Sequence, residues 1–307
     1  MESPCDSHTA HQETYRVNGH YKKRFSFQYE NRHWISGNMA VCSISGTLDR
    51  GLVLRNEEEG TQKWSFGLQD VQFNRDEGCI PEVYFLFDLY RRIDFKIDKE
   101  GRIIAWEIPK EDGDPVKKWE ALKPEIRSAI QPVERAMAFY TAIRDHITND
   151  RLMASVLEHH ILFDLFRRIG SLEQFIRTDA DSPSFPFRLQ KVDYFGKDLP
   201  LPIKACWLQK PVRQHRDYLW INTGGLDETA FKQKEYQQAL RALSGNSISD
   251  TTLQLEYSQL YDVYRPFLEY DFLEIRKAES FLETAVPGAW YKSEWTTITE
   301  TAHPFTG

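Results

Sequence analysis

Apolar residues recur at every second position through the first quarter of the chain. Phe25, Phe27 and Tyr29 alternate with polar neighbours, and Met39, Val41 and Ile44 extend the theme. Leu52-Val53-Leu54 and then Trp64, Phe66 and Leu68 follow, separated by the turn-like stretch Asn56 to Gly60. A period of two is that of a strand with one face toward a core. Residues 15–74 are therefore predicted to form an antiparallel meander with one wet face. A further hairpin is predicted over 94–108: Phe95 and Ile97 alternate, Asp98-Lys99-Glu100-Gly101 turns the chain, and Ile103 and Ala105 return.

Beyond the breaker Asp112-Gly113-Asp114-Pro115 the period changes to that of a helix. Residues 116–130 carry Trp119, Leu122 and Ile126, with Pro124 as a kink or a new start. Residues 133–147 and 151–169 carry apolar stripes, and Gly170-Ser171 stops the run before a last turn over 172–176. A polar, proline-containing connector spans 178–186, and strands are expected near 187–195, 203–208 and 218–221. Thr223-Gly224-Gly225 is expected to open a helix over about 227–243. Residues 251–267 fit both periods, and helix is preferred for the later part because Leu253, Tyr257, Leu260, Tyr261, Tyr264 and Phe267 keep helical spacing. Segments 269–277 and 288–299 read as closing strands.

Runs of strands, then helices, then strands predict an α+β fold, largely an antiparallel curved sheet or sheets with a helical middle segment. The expected layout is a mobile tail (1–13), a β-rich N-terminal part (14–112), a helical middle (113–177) and a β-rich C-terminal part with one or two helices (178–307), the whole being compatible with one continuous domain. One local echo stands out: LFDLYRRI at 86–93 returns as LFDLFRRI at 162–169. Leu86, Leu89, Tyr90 and Ile93 form a helical stripe, as do Leu162, Leu165, Phe166 and Ile169. The unmatched flanks favour two convergent amphipathic helices over a duplicated docking unit.

Composition narrows the class. The 307 residues are 41% hydrophobic, 28% charged and 13% aromatic, a globular profile. The formal charge of −7 opposes general binding to phosphate backbones, so no nucleic-acid partner is expected. Cys5, Cys42, Cys79 and Cys206 form no CxxC pair and lack zinc-ligand spacing. No segment is apolar enough for a transmembrane helix, and no secretory leader is seen, so a cytoplasmic location is expected. Cys5 would be an acylated cysteine only behind an apolar leader, which the residues before it do not supply.

Candidate chemistry survives only as fragments. His160 and Asp164 sit at i and i+4, a spacing that can hold two metal ligands, with His146 as a third, but HExxH is absent. A structural role, with His160 capping or bridging to Asp164, explains the same letters. Asp179-Ala180-Asp181-Ser182 offers oxygens without the glycine or distant glutamate of a calcium loop. Thr223-Gly224-Gly225 resembles a phosphate cradle in outline, yet the Walker lysine is missing. Cys42 and His33 are near in sequence, which does not define a catalytic pair. Trp290, Tyr291 and Trp295 offer a stacking platform for a sugar or peptide, although core packing competes for them. No cofactor is implied. The ranking that follows places a non-catalytic protein-binding protein first (adaptor, assembly component or immunity-type protein). A hydrolase or metal-assisted enzyme with a dispersed site comes next, then a small-ligand or lipid carrier using a concave sheet.

Overall fold

The computed structural model describes residues 22–35, 38–56, 59–75, 81–98, 102–109, 113–149, 184–193, 199–211, 217–244, 253–264, 274–287 and 290–301, and the helical positions 153, 157, 162, 163, 165 and 166. The protein is mostly antiparallel sheet with a few helices. In chain order the strands are β1 (Lys22–Ile35), β2 (Asn38–Asn56), β3 (Thr61–Arg75), β4 (Arg92–Ile97), β5 (Ile103–Glu107), β6 (Ser184–Asp193), β7 (Leu199–Pro211), β8 (Asp217–Leu226), β9 (Gln254–Tyr264), β10 (Glu274–Val286) and β11 (Trp290–Glu300). Among the described residues the helices with both bounds given are α1 (Pro81–Leu89), α2 (Pro115–Ala129), α3 (Val133–Ile147) and α4 (Gln233–Ser244).

All eleven strands join one sheet in the order β5-β4-β3-β2-β1-β11-β10-β9-β8-β7-β6. Each half of the chain is a meander, and β1 pairs antiparallel with β11 to join the two halves at the centre. One face of this sheet carries the helices. Phe25, Phe27, Phe66 and Phe95 point from β1, β3 and β4 into that face and are at most 2% exposed. They meet Phe163, Phe166 and Phe87: Phe25 lies edge-on to Phe166 at 5.1 Å, and Phe66 to Phe163 at 5.3 Å. Burying each ring contributes about 1.5–3 kcal/mol, so this aromatic seam anchors the helices to the sheet. Gly46 opposes Phe27 in the β1–β2 register, and a Cβ there would lie 3.0 Å from the Phe27 ring. A second, smaller cluster gathers Leu201, Tyr236, Leu253, Val286 and Trp290 under α4.

Helix α2 starts where its sequence says it should. Asp114 accepts a hydrogen bond from the Val116 N–H at 2.9 Å, and Pro115 occupies the first turn, where its missing donor costs nothing. Pro124 lies inside α2. Trp119, fully buried, donates its indole N–H to the Tyr140 carbonyl at 2.9 Å and so ties α2 to α3.

Several local expectations are corrected. The stripe ending at Ile93 is not one helix: α1 stops at Leu89, and Ile93 enters β4 opposite Phe66, because Leu68 N–H captures the Arg91 carbonyl at 2.6 Å. Thr223-Gly224-Gly225 opens no helix. It runs within β8, and α4 begins only at Gln233. Gly224 is required there by close approach of β7, since a Cβ would sit 2.6 Å from the Ala205 Cβ and 2.7 Å from the Lys204 carbonyl. Residues 254–264 are strand throughout, paired on both sides by β8 and β10. Two hydrogen-bonded neighbours outweigh the local helical spacing, as tertiary context commonly does. Closing strand β10 also continues to Val286, well past the expected end. The connector expected over 178–186 gives way to β6 from Ser184, and its residues 178–183, most of the 151–169 stripe and half of the second LFDLFRRI copy lie outside the described residues.

Candidate functional site

A strand that buries one face should carry apolar residues there, so polar residues at inward positions need a reason. On the helix-bearing face the register assembles such residues into adjoining rows. One row crosses five strands: Asn222 opposes Gln259, Gln259 opposes Ser280, Ser280 opposes Thr296, and Thr296 opposes Tyr29. Two residues along, Tyr257, Leu282, Glu294, Asn31 and Cys42 form the next row. Thr284, Lys292 and His33 form a third. Rows two residues apart are about 6.8 Å apart, which makes the polar belt about 14 Å tall. Apolar ground bounds it on both sides. Trp220, Tyr261, Ala278, Ile298 and Phe27 lie in the row below, and Val286 and Trp290 lie above, against Tyr236 of α4.

The belt is graded in accessibility. Asn222, Gln259, Tyr257, Thr284, Thr296 and Tyr29 are buried. Lys292 and Glu294 keep 14% and 26% of their side-chain exposure, and Asn31, His33, Cys42, Ser280 and Leu282 are half-buried. Burial of the belt is thus most complete over β8 and β9, and its half-buried members lie on β10, β11, β1 and β2.

Its electrostatics are nearly balanced. Lys292 Nζ lies 2.9 Å from Glu294 Oε1. His33 accepts the Trp290 indole N–H on Nε2 at 2.9 Å, an arrangement that needs Nε2 unprotonated and leaves the proton on Nδ1. Burial, and secondarily the Lys292 ammonium, holds the His33 imidazole below its usual range and keeps it neutral. Asn31 donates to the Tyr29 hydroxyl at 3.1 Å. Asn222 Nδ2 lies 3.5 Å from Gln259 Oε1. The register places His33 and Cys42 diagonally on one face, since their direct partners are Ala40 and Asn31. The belt therefore offers amide, hydroxyl, imidazole and indole-adjacent groups for hydrogen bonding, flanked by aromatic walls.

Of the sequence-derived site residues, His146, Trp290, Tyr291 and Trp295 lie among the described ones. His146 lies on α3 with its Nδ1 against the Ala142 carbonyl, a bond to its own helix. His160, Asp164 and the Asp179–Ser182 loop lie outside the described residues. Among the described residues no group of three His, Cys, Asp or Glu side chains is placed to hold a metal ion. Trp290 points inward and is 2% exposed, whereas Tyr291 and Trp295 point to the opposite, outer face. There Tyr291 opposes Trp34 and Ala285, Trp34 opposes Met39, and Trp295 opposes Phe281. Met39 is 54% and Trp295 37% exposed, so this outer face carries two aromatic rows partly open to solvent. A polar row lies between them, with Arg32, Ser293 and Glu283.

The belt itself was missed in the sequence because its members come one or two per strand. The signal that could have found it was Phe25, Phe27 and Tyr29 giving way to Asn31 and His33 at the same parity, and Lys292, Glu294 and Thr296 preceding Ile298.

No family model matches the chain. No curated protein matches it either. Among solved structures, a chain described under "lipid-protein interactions in lipovitellin" superimposes with a TM-score of 0.46 at 10% identity, covering 94% of this chain and 26% of that one. The chain thus spans about a quarter of the lipovitellin chain. A mutant porin of Rh. blastica gives a TM-score of 0.21 at 6% identity, over 91% of this chain and all of that one. Neither likeness carries a conclusion about ligand or activity. Among the described residues no helix is long and apolar enough to cross a membrane.

Proposed function

We propose that the protein is a non-catalytic carrier that holds a small, partly polar organic molecule between the helix-bearing face of its sheet and the elements that cover it. One observation supports this above others: polar side chains occupy inward positions on five adjoining strands, between two apolar clusters. Burying such groups is costly unless they are hydrogen-bonded, and an apolar row would have served packing better. Binding recesses have this composition, apolar and aromatic walls with a few placed polar groups. In this reading the sheet curls about its helix-bearing face. The contact between Arg50 of β2 and Glu274 of β10, three strands apart in the sheet, supports that curl.

The test uses Nile red, a neutral aromatic dye, as the probe. One saturable site is expected on the intact protein. Ser280→Phe, which puts a ring into the middle of the belt, should weaken it at least tenfold, while the outward Glu279→Phe should leave it unchanged. Absence of saturable binding, or equal effects from the two rings, refutes the reading; circular dichroism confirms that both variants are folded.

A second reading keeps a protein partner as the ligand and is supported by the outer aromatic rows at Met39, Trp34, Tyr291 and Trp295. Tyr and Trp are favoured at interface centres because each supplies a large contact area with few rotatable bonds. A photo-crosslinking amino acid at position 295 should then capture one defined companion, and the same group at position 279 should not. Equal capture from the two positions counts against it.

A further inference from the structure

Resting on the carrier reading, we infer that the most buried end of the belt recognises its ligand through the Asn222–Gln259 pair, and that the group recognised is a cyclic amide edge, a ring N–H beside a ring C=O. Asn222 and Gln259 stand directly opposite each other in the β8–β9 register, 0% and 1% exposed. One amide contacts the other, Nδ2 to Oε1 at 3.5 Å. Asn222 Oδ1 and Gln259 Nε2 then have no partner among the described residues. The count does not depend on which way the amides are turned. Reversing both exchanges the contact and still leaves one acceptor on one strand and one donor on its neighbour.

Asn222 and Gln259 project from the same face of neighbouring strands, which lie about 4.8 Å apart, so one ligand edge can meet both amides. Their complement is a molecule with a donor and an acceptor on adjacent atoms, in the cis relation that a ring enforces. The surroundings suit a flat ring: Trp220 and Tyr261 oppose each other in the row below, and Tyr257 lies in the row above. A buried amide left open is strongly disfavoured, whereas a pair of leucines in the same place would be neutral or better. Two such groups on neighbouring strands, in a row that continues through Ser280 and Thr296, form a recognition edge rather than a packing element. A single ordered water bridging the two amides is the competing account, and the test separates the two.

The probe is 2-pyridone, with N-methyl-2-pyridone as its donor-free twin, and binding is followed on the intact protein by saturation-transfer NMR in parallel with Nile red. 2-Pyridone is expected to bind at least tenfold more tightly than its twin, and Asn222→Leu/Gln259→Leu is expected to abolish that difference, with circular dichroism and the urea midpoint showing that the double variant is folded. Equal binding of the two pyridones overturns the inference. So does a leucine pair that stabilises the fold and leaves 2-pyridone binding intact, the result a bridging water predicts. Failure of 2-pyridone with Nile red still bound overturns this assignment and leaves the carrier reading standing; failure of both probes removes the two together.

Discussion

Arg50 and Glu274 form a buried ion pair between strands that are 224 residues apart in sequence. Arg50 is 4% and Glu274 0% exposed, and Arg50 Nη1 approaches the two carboxylate oxygens at 3.2 and 3.3 Å. The guanidinium also lies 3.6 Å over the Trp64 ring and 5.0 Å from Phe166, at the aromatic seam. At an effective dielectric constant near 20 the attraction across 3.2 Å is about 5 kcal/mol. Most of that gross attraction offsets the cost of taking two charges out of water, so the pair as a whole contributes little beyond what apolar residues would. Removing one partner is a different matter, because the other charge stays in the interior without it. Arg50→Met and Glu274→Met are each expected to cost about 3–5 kcal/mol, of a total that for most domains is about 5–15. The double variant is expected within about 1 kcal/mol of the wild type or above it. Urea denaturation at pH 7 measures this through the midpoint, with the slope required to stay constant. Single variants that each cost under about 1 kcal/mol, or a double variant whose loss equals the sum of the singles, would refute the coupling assigned to the pair.

Two further outcomes follow from the same geometry. Gly224→Ala places a methyl 2.6–2.7 Å from Ala205 and the Lys204 carbonyl, so it is expected to destabilise the fold by about 1–3 kcal/mol, whereas an equal midpoint would show that β7 yields freely. His33 titrates lower in the folded protein than in the unfolded chain, so its contribution to stability is fully present above about pH 6.5 and is lost as pH falls through the folded value. His33→Gln should therefore lessen the fall in stability between pH 7.5 and 5.5 seen in the wild type, and identical pH profiles would contradict the neutral imidazole assigned beside Trp290.

What the sequence determined by itself was whatever depends on near neighbours. The alternation through Phe25, Phe27 and Tyr29 placed β1 and its buried face. Asp114-Pro115 placed the start of α2, and the alternation through Phe95, Ile97 and Ile103 placed the β4–β5 pair. Each rests on a period or a cap that a few consecutive residues complete. The tertiary structure decided the cases in which one segment satisfies two local rules. Residues 251–267 carried both periods until β8 and β10 paired with both edges of β9. Ile93 completed a helical stripe until Phe66 claimed it for β4. Gly224 read as the opening of a helix until the approach of Ala205 showed a strand that leaves no room for a Cβ. The polar belt lies furthest from the sequence. Asn222, Gln259, Ser280, Thr296 and Tyr29 become neighbours only through four strand registers, and which pairs meet is set by hydrogen bonding between segments drawn from both ends of the chain. A single strand can show that Asn31 and His33 interrupt its apolar face. Only the assembled sheet shows that the interruptions align.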